Sequence, residues 1–129
     1  MGVGVGYILP FQFAQLLVFS RATQLQSVDV QVLSDKACHE SYKNLLQSQR
    51  VTDTMLCARA KGADACSGDS GGPFTITDPA DGSAVLQGVV SWGRSCAKPQ
   101  WPGVYSKVTS VNHWIRSNTA NSNFCNRHV

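Results

Sequence analysis

A glycine-rich loop around one serine constrains what this 129-residue chain can fold into more than any other feature. The loop has the sequence Gly68-Asp69-Ser70-Gly71-Gly72-Pro73 and follows Asp64-Ala65-Cys66-Ser67. Because glycines permit tight turns and close backbone approach, such a loop can expose the serine hydroxyl while nearby N–H groups converge on one point. Acyl transfer needs both a nucleophile and donors for the developing oxyanion. A turn with an incidental serine is the alternative, and it explains so long a motif poorly.

Short apolar runs and turn residues around this loop predict an all-β fold. Strands are expected over residues 25–33, 55–58, 73–77, 85–92 and 103–108. A short helix is expected over residues 34–45, with Ser34 as its N-cap. A closing helix is expected over residues 110–117, with Trp114 and Ile115 on its buried face. The net charge of +3 is mild and unclustered, so nothing indicates nucleic-acid binding.

The serine loop and several other segments resemble the trypsin/chymotrypsin family of serine proteases. Ser91-Trp92-Gly93 is similar to the family's substrate-binding segment, and residues 51–58, 102–108 and 111–115 also match family segments. The resemblance implies a chymotrypsin-like antiparallel β-barrel with an intermediate helix and a C-terminal helix. Since an all-β domain of this kind runs to ~200–250 residues, we expect only the C-terminal barrel of the usual two.

This expectation divides the chain into three parts. Residues 1–23 are expected to be a non-homologous N-terminal segment, residues 24–120 a partial protease domain, and residues 121–129 a tail. The first segment is also compatible with a signal peptide cleaved near Ser20-Arg21-Ala22, although it lacks a positive n-region. A membrane span is a third interpretation, which Pro10 and two glutamines weaken.

The resemblance implies that Ser70 is the nucleophile and that the backbone N–H groups of Gly68, Asp69 and Ser70 form the oxyanion hole. The family's histidine base and its aspartate precede the serine in the chain. Only His39 precedes Ser70 here, and its polar surroundings predict a surface helix. We therefore expect the chain alone to lack the histidine and aspartate of the triad and to be inactive.

Asp69 matches an aspartate that the family buries against a new N-terminal ammonium group. The sequence contains no Ile-Val-Gly-Gly activation segment, and a buried, unpaired carboxylate costs several kcal/mol. We expect Asp69 to turn outward and the oxyanion loop to adopt a zymogen-like shape. A local hydrogen bond within its own turn is the alternative.

Three further residues match the family's primary specificity pocket. Asp64 matches the residue at the base of the pocket in trypsin-like members, and Gly93 and Gly103 match its walls. A carboxylate in an open pocket pairs with Arg or Lys of the substrate, while Ser91 and Trp92 complete the substrate-binding set. The alternative for Asp64 is an acidic residue on a surface loop.

The chain has five cysteines. The resemblance implies that Cys38 pairs with Cys57 and Cys66 with Cys96, which leaves Cys125 in the tail. Disulfides indicate an oxidising compartment and therefore a secreted, extracellular protein. A zinc site would need ligand spacings that the sequence lacks, so we predict no metal and no cofactor.

Together these features predict the C-terminal half of a secreted trypsin-like serine endopeptidase that cleaves after Arg or Lys. The expected partners are peptide or protein substrates carrying Arg or Lys, protein inhibitors, and the N-terminal barrel of the same domain. Two alternatives stay open: a non-catalytic binding protein of the same fold, and an incomplete fragment with no activity of its own.

Overall fold

The computed structural model describes residues 22–45 and 50–122, together with the backbone of residues 2–4. Seven strands and two helices make up the described chain. The strands are β1 (Gly2–Gly4), β2 (Ser27–Val28), β3 (Gln31–Val32), β4 (Met55–Arg59), β5 (Pro73–Thr77), β6 (Ala84–Trp92) and β7 (Gly103–Lys107). The helices are α1 (Asp35–Tyr42) and α2 (Asn112–Asn118). Strands β4 to β7 therefore lie within a residue or two of their predicted positions.

All strands belong to one antiparallel sheet with the order β2-β1-β5-β6-β7-β4-β3. The two edge strands, β2 and β3, are separated in the chain by only Asp29 and Val30. The sheet must therefore curl until its edges approach each other, and Val30 lies in the interior with 5% of its surface exposed. The sheet forms a half-barrel, which confirms the predicted fold class of a single chymotrypsin-like antiparallel β-barrel.

The segment predicted as one strand over residues 25–33 is instead two short strands. The chain crosses there from one edge of the sheet to the other, so it cannot pair continuously with one neighbour. Strand β1 lies between β2 and β5 and pairs Val3 with Val28 and with Phe74. The N-terminal segment thus contributes one strand to the sheet.

Two apolar clusters hold the half-barrel together. Phe74 and Tyr105 centre the first, with their rings 5.2 Å apart and almost no exposed surface. Tyr42 and the Cys38–Cys57 disulfide centre the second, which joins α1 to β4. Full burial of a large apolar side chain contributes roughly 1.5–3 kcal/mol, so these clusters supply a rigid base for the loops at one end of the sheet.

Helix α1 begins at the predicted N-cap, where the Ser34 hydroxyl accepts a hydrogen bond from the Ala37 N–H. The closing helix is a 3-10 turn, Val108–Val111, followed by α2. The prediction that Trp114 is buried is wrong, because 66% of its surface is exposed. None of the described residues covers the face of α2 that carries Trp114. No helix in the described ranges is long and apolar enough to cross a membrane.

Candidate active site

A tight turn shapes the loop that carries Ser70. The Asp69 N–H donates to the Cys66 carbonyl at 3.0 Å, which closes a four-residue turn. Gly68 is the third residue of this turn and has a φ of 105°, a conformation that disfavours any side chain. The turn uses the Asp69 N–H internally, which removes Asp69 from the three donors predicted for the oxyanion hole.

Two backbone hydrogen bonds fasten the loop to strand β6. The Gly71 N–H donates to the Val90 carbonyl, and the Val90 N–H donates to the Gly72 carbonyl, both at 2.9 Å. Ser70 stands at the exposed corner between the turn and this attachment. In the part of the chain that the structure describes, the N–H groups of Gly68 and Ser70 donate to no protein acceptor. The loop therefore presents a hydroxyl beside two available donors.

The prediction that Asp69 turns outward is wrong. Its surface is only 7% exposed, and its Oδ2 accepts a hydrogen bond from the Cys66 N–H at 2.8 Å. The turn thus satisfies the carboxylate locally, which was the alternative considered from the sequence. A hydrogen bond to an ionised carboxylate is stronger than one between neutral groups, so this contact offsets part of the cost of burial.

A cavity of about 190 Å³ opens beside Ser70. Its lining includes Ser70 and all five residues predicted from the sequence to bind substrate, namely Asp64, Ser91, Trp92, Gly93 and Gly103. The residues come from the serine loop, the end of β6 and the start of β7, which are distant in sequence. The fold therefore brings the predicted nucleophile and the predicted pocket together at one end of the half-barrel.

Asp64 is buried in this cavity, with 7% of its surface exposed. Its Oδ2 accepts a hydrogen bond from the Ala97 N–H at 3.2 Å, whereas its Oδ1 has no partner among the described residues. Desolvation raises the pKa of Asp64 from 3.8 to about 6, partly opposed by hydrogen bonds from the amides of Ala97 and Ala65. The negative charge of Asp69 adds a smaller increase. A cation at Oδ1 would relieve this unfavourable burial.

The two wall glycines leave the space over Asp64 open. A Cβ atom on Gly103 would lie 2.8 Å from Asp64 Oδ1 and 3.2 Å from the Tyr105 hydroxyl. A Cβ atom on Gly93 would meet the Gly103 Cα at 4.0 Å. Side chains at these positions would fill the cavity, so glycine at both positions keeps the carboxylate accessible to a long ligand.

Both predicted disulfides are present. Cys66 and Cys96 have Cα atoms 5.4 Å apart, and their bridge ties the serine loop to the segment that follows Gly93. The Cys38–Cys57 bridge ties α1 to β4. Cys125 lies outside the described residues. The Cys66–Cys96 bridge therefore links the predicted nucleophile loop directly to one wall of the cavity.

Three residues that the sequence did not single out also shape the site. Tyr42 packs its ring 4.9 Å from Trp92 and thereby supports the wall of the cavity from behind. Tyr105 places a buried hydroxyl without a described partner near Asp64, and burial raises its pKa. Ala97 has a φ of 56° and donates its N–H to Asp64. The strand predicted over residues 103–108 could have suggested that the Tyr105 side chain is buried. No signal in the sequence indicates the positive φ of Ala97.

His39 lies on the exposed surface of α1, as predicted. Its side chain is 48% exposed, and its Nε2 is 4.0 Å from Asp53 Oδ1. The cavity beside Ser70 has no histidine in its described lining. Ser70 therefore has no imidazole base among the described residues that line its cavity.

Comparisons with known proteins agree with this geometry. A sequence model of the family described as Trypsin matches residues 5–115. Trypsin zeta of Drosophila melanogaster is 45% identical over 98 residues, which cover 73% of this chain and 33% of that protein. Hypodermin-B of Hypoderma lineatum is 44% identical over 95 residues, which cover 74% of this chain and 34% of that protein.

The chain thus spans about a third of the length of these relatives. The family match begins inside the segment 1–23, and the boundary expected at residue 24 stays a prediction. The matched range includes the serine loop, the cavity and both disulfides. This chain belongs to the trypsin family of serine proteases.

Proposed function

We propose that this chain carries the nucleophile and the specificity pocket of a serine endopeptidase that cleaves after Arg or Lys. The observation that carries the proposal is the buried carboxylate of Asp64, whose Oδ1 lacks a partner in the described structure and faces a cavity shared with Ser70. A guanidinium or ammonium group at the end of a long side chain would pair with that oxygen. The glycines at 93 and 103 leave room for the side chain that carries it.

The end of strand β6 supports binding of an extended peptide. Strand β5 pairs with β6 as far as Val89, and the serine loop then bonds Val90. Beyond that point no strand in the described ranges lies beside residues 91–93 on the β5 side. A peptide can therefore add to this edge by backbone hydrogen bonds while its Arg or Lys side chain enters the cavity.

The chemistry assigned to the site is acyl transfer. Ser70 Oγ attacks the carbonyl carbon of the Arg or Lys residue, and the N–H groups of Gly68 and Ser70 stabilise the oxyanion that forms. The intermediate then expels the amine of the following residue, which takes up a proton, and leaves an acyl ester on Ser70 that water hydrolyses. The hydroxyl proton must pass to a general base, and the described lining of the cavity holds no histidine to accept it. Because the relatives are about three times as long as the matched region, we propose that a further part of the protease domain supplies this base.

The exposed face of α2 supports such a partner. Trp114 on α2 is 66% exposed, and Val111 at the end of the preceding 3-10 turn is 44% exposed. Burial of these side chains against another domain would remove apolar surface from water. We propose the N-terminal barrel as the partner that covers this face, and protein inhibitors as further ligands of the cavity. The disulfides favour a secreted, extracellular location.

A non-catalytic binding protein is the second candidate function. The absence of a histidine from the described lining of the cavity favours it, since the pocket could bind a cationic peptide without cleaving it. Both candidates require the same pocket and differ only in whether Ser70 becomes activated.

Binding of benzamidine, a small planar cation, to the oxidised chain tests the pocket. We expect saturable binding by calorimetry at neutral pH and at least a tenfold loss in Asp64→Asn, because the amide keeps the shape but removes the charge. The exposed Asp53→Asn variant is the matched control and should bind as the unmodified chain does. Equal binding by the Asp64 variant would refute the pocket.

A further inference from the structure

We infer that Arg94 makes this site selective for peptides with an acidic side chain two or three residues before the Arg or Lys that enters the cavity. The inference rests on the proposed function, because it concerns a second contact of the same bound peptide. It adds a specificity-determining residue on the rim of the cavity, outside the set that lines it.

The Arg94 side chain is held in place by an aromatic contact. Its guanidinium lies 4.7 Å from the ring centroid of Trp101, and Trp101 packs 5.5 Å from Tyr42. A guanidinium stacked on a ring still directs its N–H groups outward in its own plane. The side chain is therefore ordered before any ligand binds and keeps donors for a carboxylate.

The charge of Arg94 has no acidic partner in the described chain. Lys43 and Lys107 each lie within 4.0 Å of a carboxylate oxygen, whereas no such contact exists for Arg94 among the described residues. The segment 90–104 contains Arg94 and Lys98 but no Asp or Glu. The exposed rim is thus positive, while the floor of the cavity, formed by Asp64, is negative when ionised.

The position of Arg94 fixes which ligand residue it meets. We place the Arg or Lys of the bound peptide opposite Ser91, which lines the cavity. A peptide that runs antiparallel to residues 91–93 then extends toward Arg94 with the residues that precede this Arg or Lys. Extended chains rise about 3.3 Å per residue, so the three steps from Ser91 to Arg94 span roughly 10 Å. A side chain two or three residues before the Arg or Lys therefore lies opposite the guanidinium. An acidic group there gains an ion pair, and a basic group there is repelled.

Two matched peptides test this selectivity on the oxidised full chain. Acetyl-Glu-Glu-Gly-Arg-amide and acetyl-Gln-Gln-Gly-Arg-amide differ only in charge at the relevant positions. We expect the Glu peptide to bind about fivefold more tightly by calorimetry in dilute salt, which corresponds to about 1 kcal/mol. The ratio of the two affinities should fall toward one in about 1 M NaCl, because salt screens an exposed ion pair.

Variants locate the effect. Arg94→Gln should abolish the advantage of the Glu peptide, Arg94→Lys should retain only part of it because lysine lacks the planar fork, and Lys98→Gln should leave it intact. Equal affinity for the two peptides in the unmodified chain would overturn the role of Arg94 while leaving the pocket standing. If Lys98→Gln also abolished the preference for the Glu peptide, the preference would be a general effect of positive charge. That result would likewise overturn the role of Arg94. If neither peptide binds, the proposed pocket itself fails.

Discussion

Replacement of Asp64 by Asn should stabilise the fold while it removes the ligand site. Burial raises the pKa of Asp64 from 3.8 to about 6, so the folded chain favours the neutral carboxyl more than the unfolded chain does. The charged form then costs about 3 kcal/mol of folding free energy at neutral pH, as an upper value. Asn keeps an oxygen for the Ala97 N–H and carries no charge, so it avoids this cost.

The sign of the pH dependence follows from the raised pKa. Below the unfolded value of 3.8 both states hold the proton and Asp64 costs nothing, and the cost grows as pH rises through about 6. Urea unfolding of the oxidised chain should therefore show Asp64→Asn more stable by up to about 3 kcal/mol at about pH 7.5, and by only about 0.6 kcal/mol at about pH 4. Comparison with the unmodified chain at each pH cancels the titration of other groups.

The control is Asp53→Asn, because the Asp53 side chain is fully exposed. Its unfolding free energy should differ from that of the unmodified chain by less than about 0.5 kcal/mol at either pH. An Asp64→Asn variant that is no more stable near pH 7.5, or whose advantage does not shrink in acid, would show that burial does not control the protonation of Asp64. The electrostatic argument for cation binding would then lose its basis.

Further variants test the wall, the nucleophile and the strained loop. Gly103→Ala should lower the unfolding free energy by about 1–3 kcal/mol and weaken benzamidine binding at least tenfold, since the new Cβ would lie 2.8 Å from Asp64 Oδ1. Unchanged binding would show that Gly103 does not form a wall of the binding cavity. A fluorophosphonate probe should label the chain no faster than Ser70→Ala, because the described lining of the cavity holds no histidine base. Rapid labelling that depends on Ser70 would show that another group of the chain activates the serine. Ala97→Gly should raise the unfolding free energy by about 0.5–1 kcal/mol, because glycine adopts the positive φ at this position without strain and this gain exceeds the cost of the more flexible unfolded chain. A loss of stability would argue against the positive φ of Ala97.

The positions of strands β4 to β7 could be predicted from the sequence because each is a short apolar run between turn residues. Ser34 was recognisable as an N-cap because capping depends on residues next to each other in the chain. The two disulfide pairs followed from the family resemblance, and their geometry agrees with it. The gathering of Ser70 and Asp64 at one cavity followed from the same resemblance.

Long-range packing decided what the sequence could not. The burial of Trp114 depends on which surface covers α2, and apolar spacing within a helix does not reveal whether such a surface exists. The orientation of Asp69 depends on a turn in which the Cys66 N–H donates to its carboxylate, and this local hydrogen bond allows the side chain to be buried.

The sequence by itself determined the local chemistry: a serine in a glycine-rich loop, an acid six residues before it, and strands able to close a half-barrel. Only the tertiary structure decided that Asp64 keeps one buried oxygen without a described partner and that the Arg94 guanidinium rests on Trp101. These properties depend on distances between segments that the chain brings together only by folding. Hydrogen bonding, desolvation and ring stacking act over a few ångströms in space, whatever the separation along the chain.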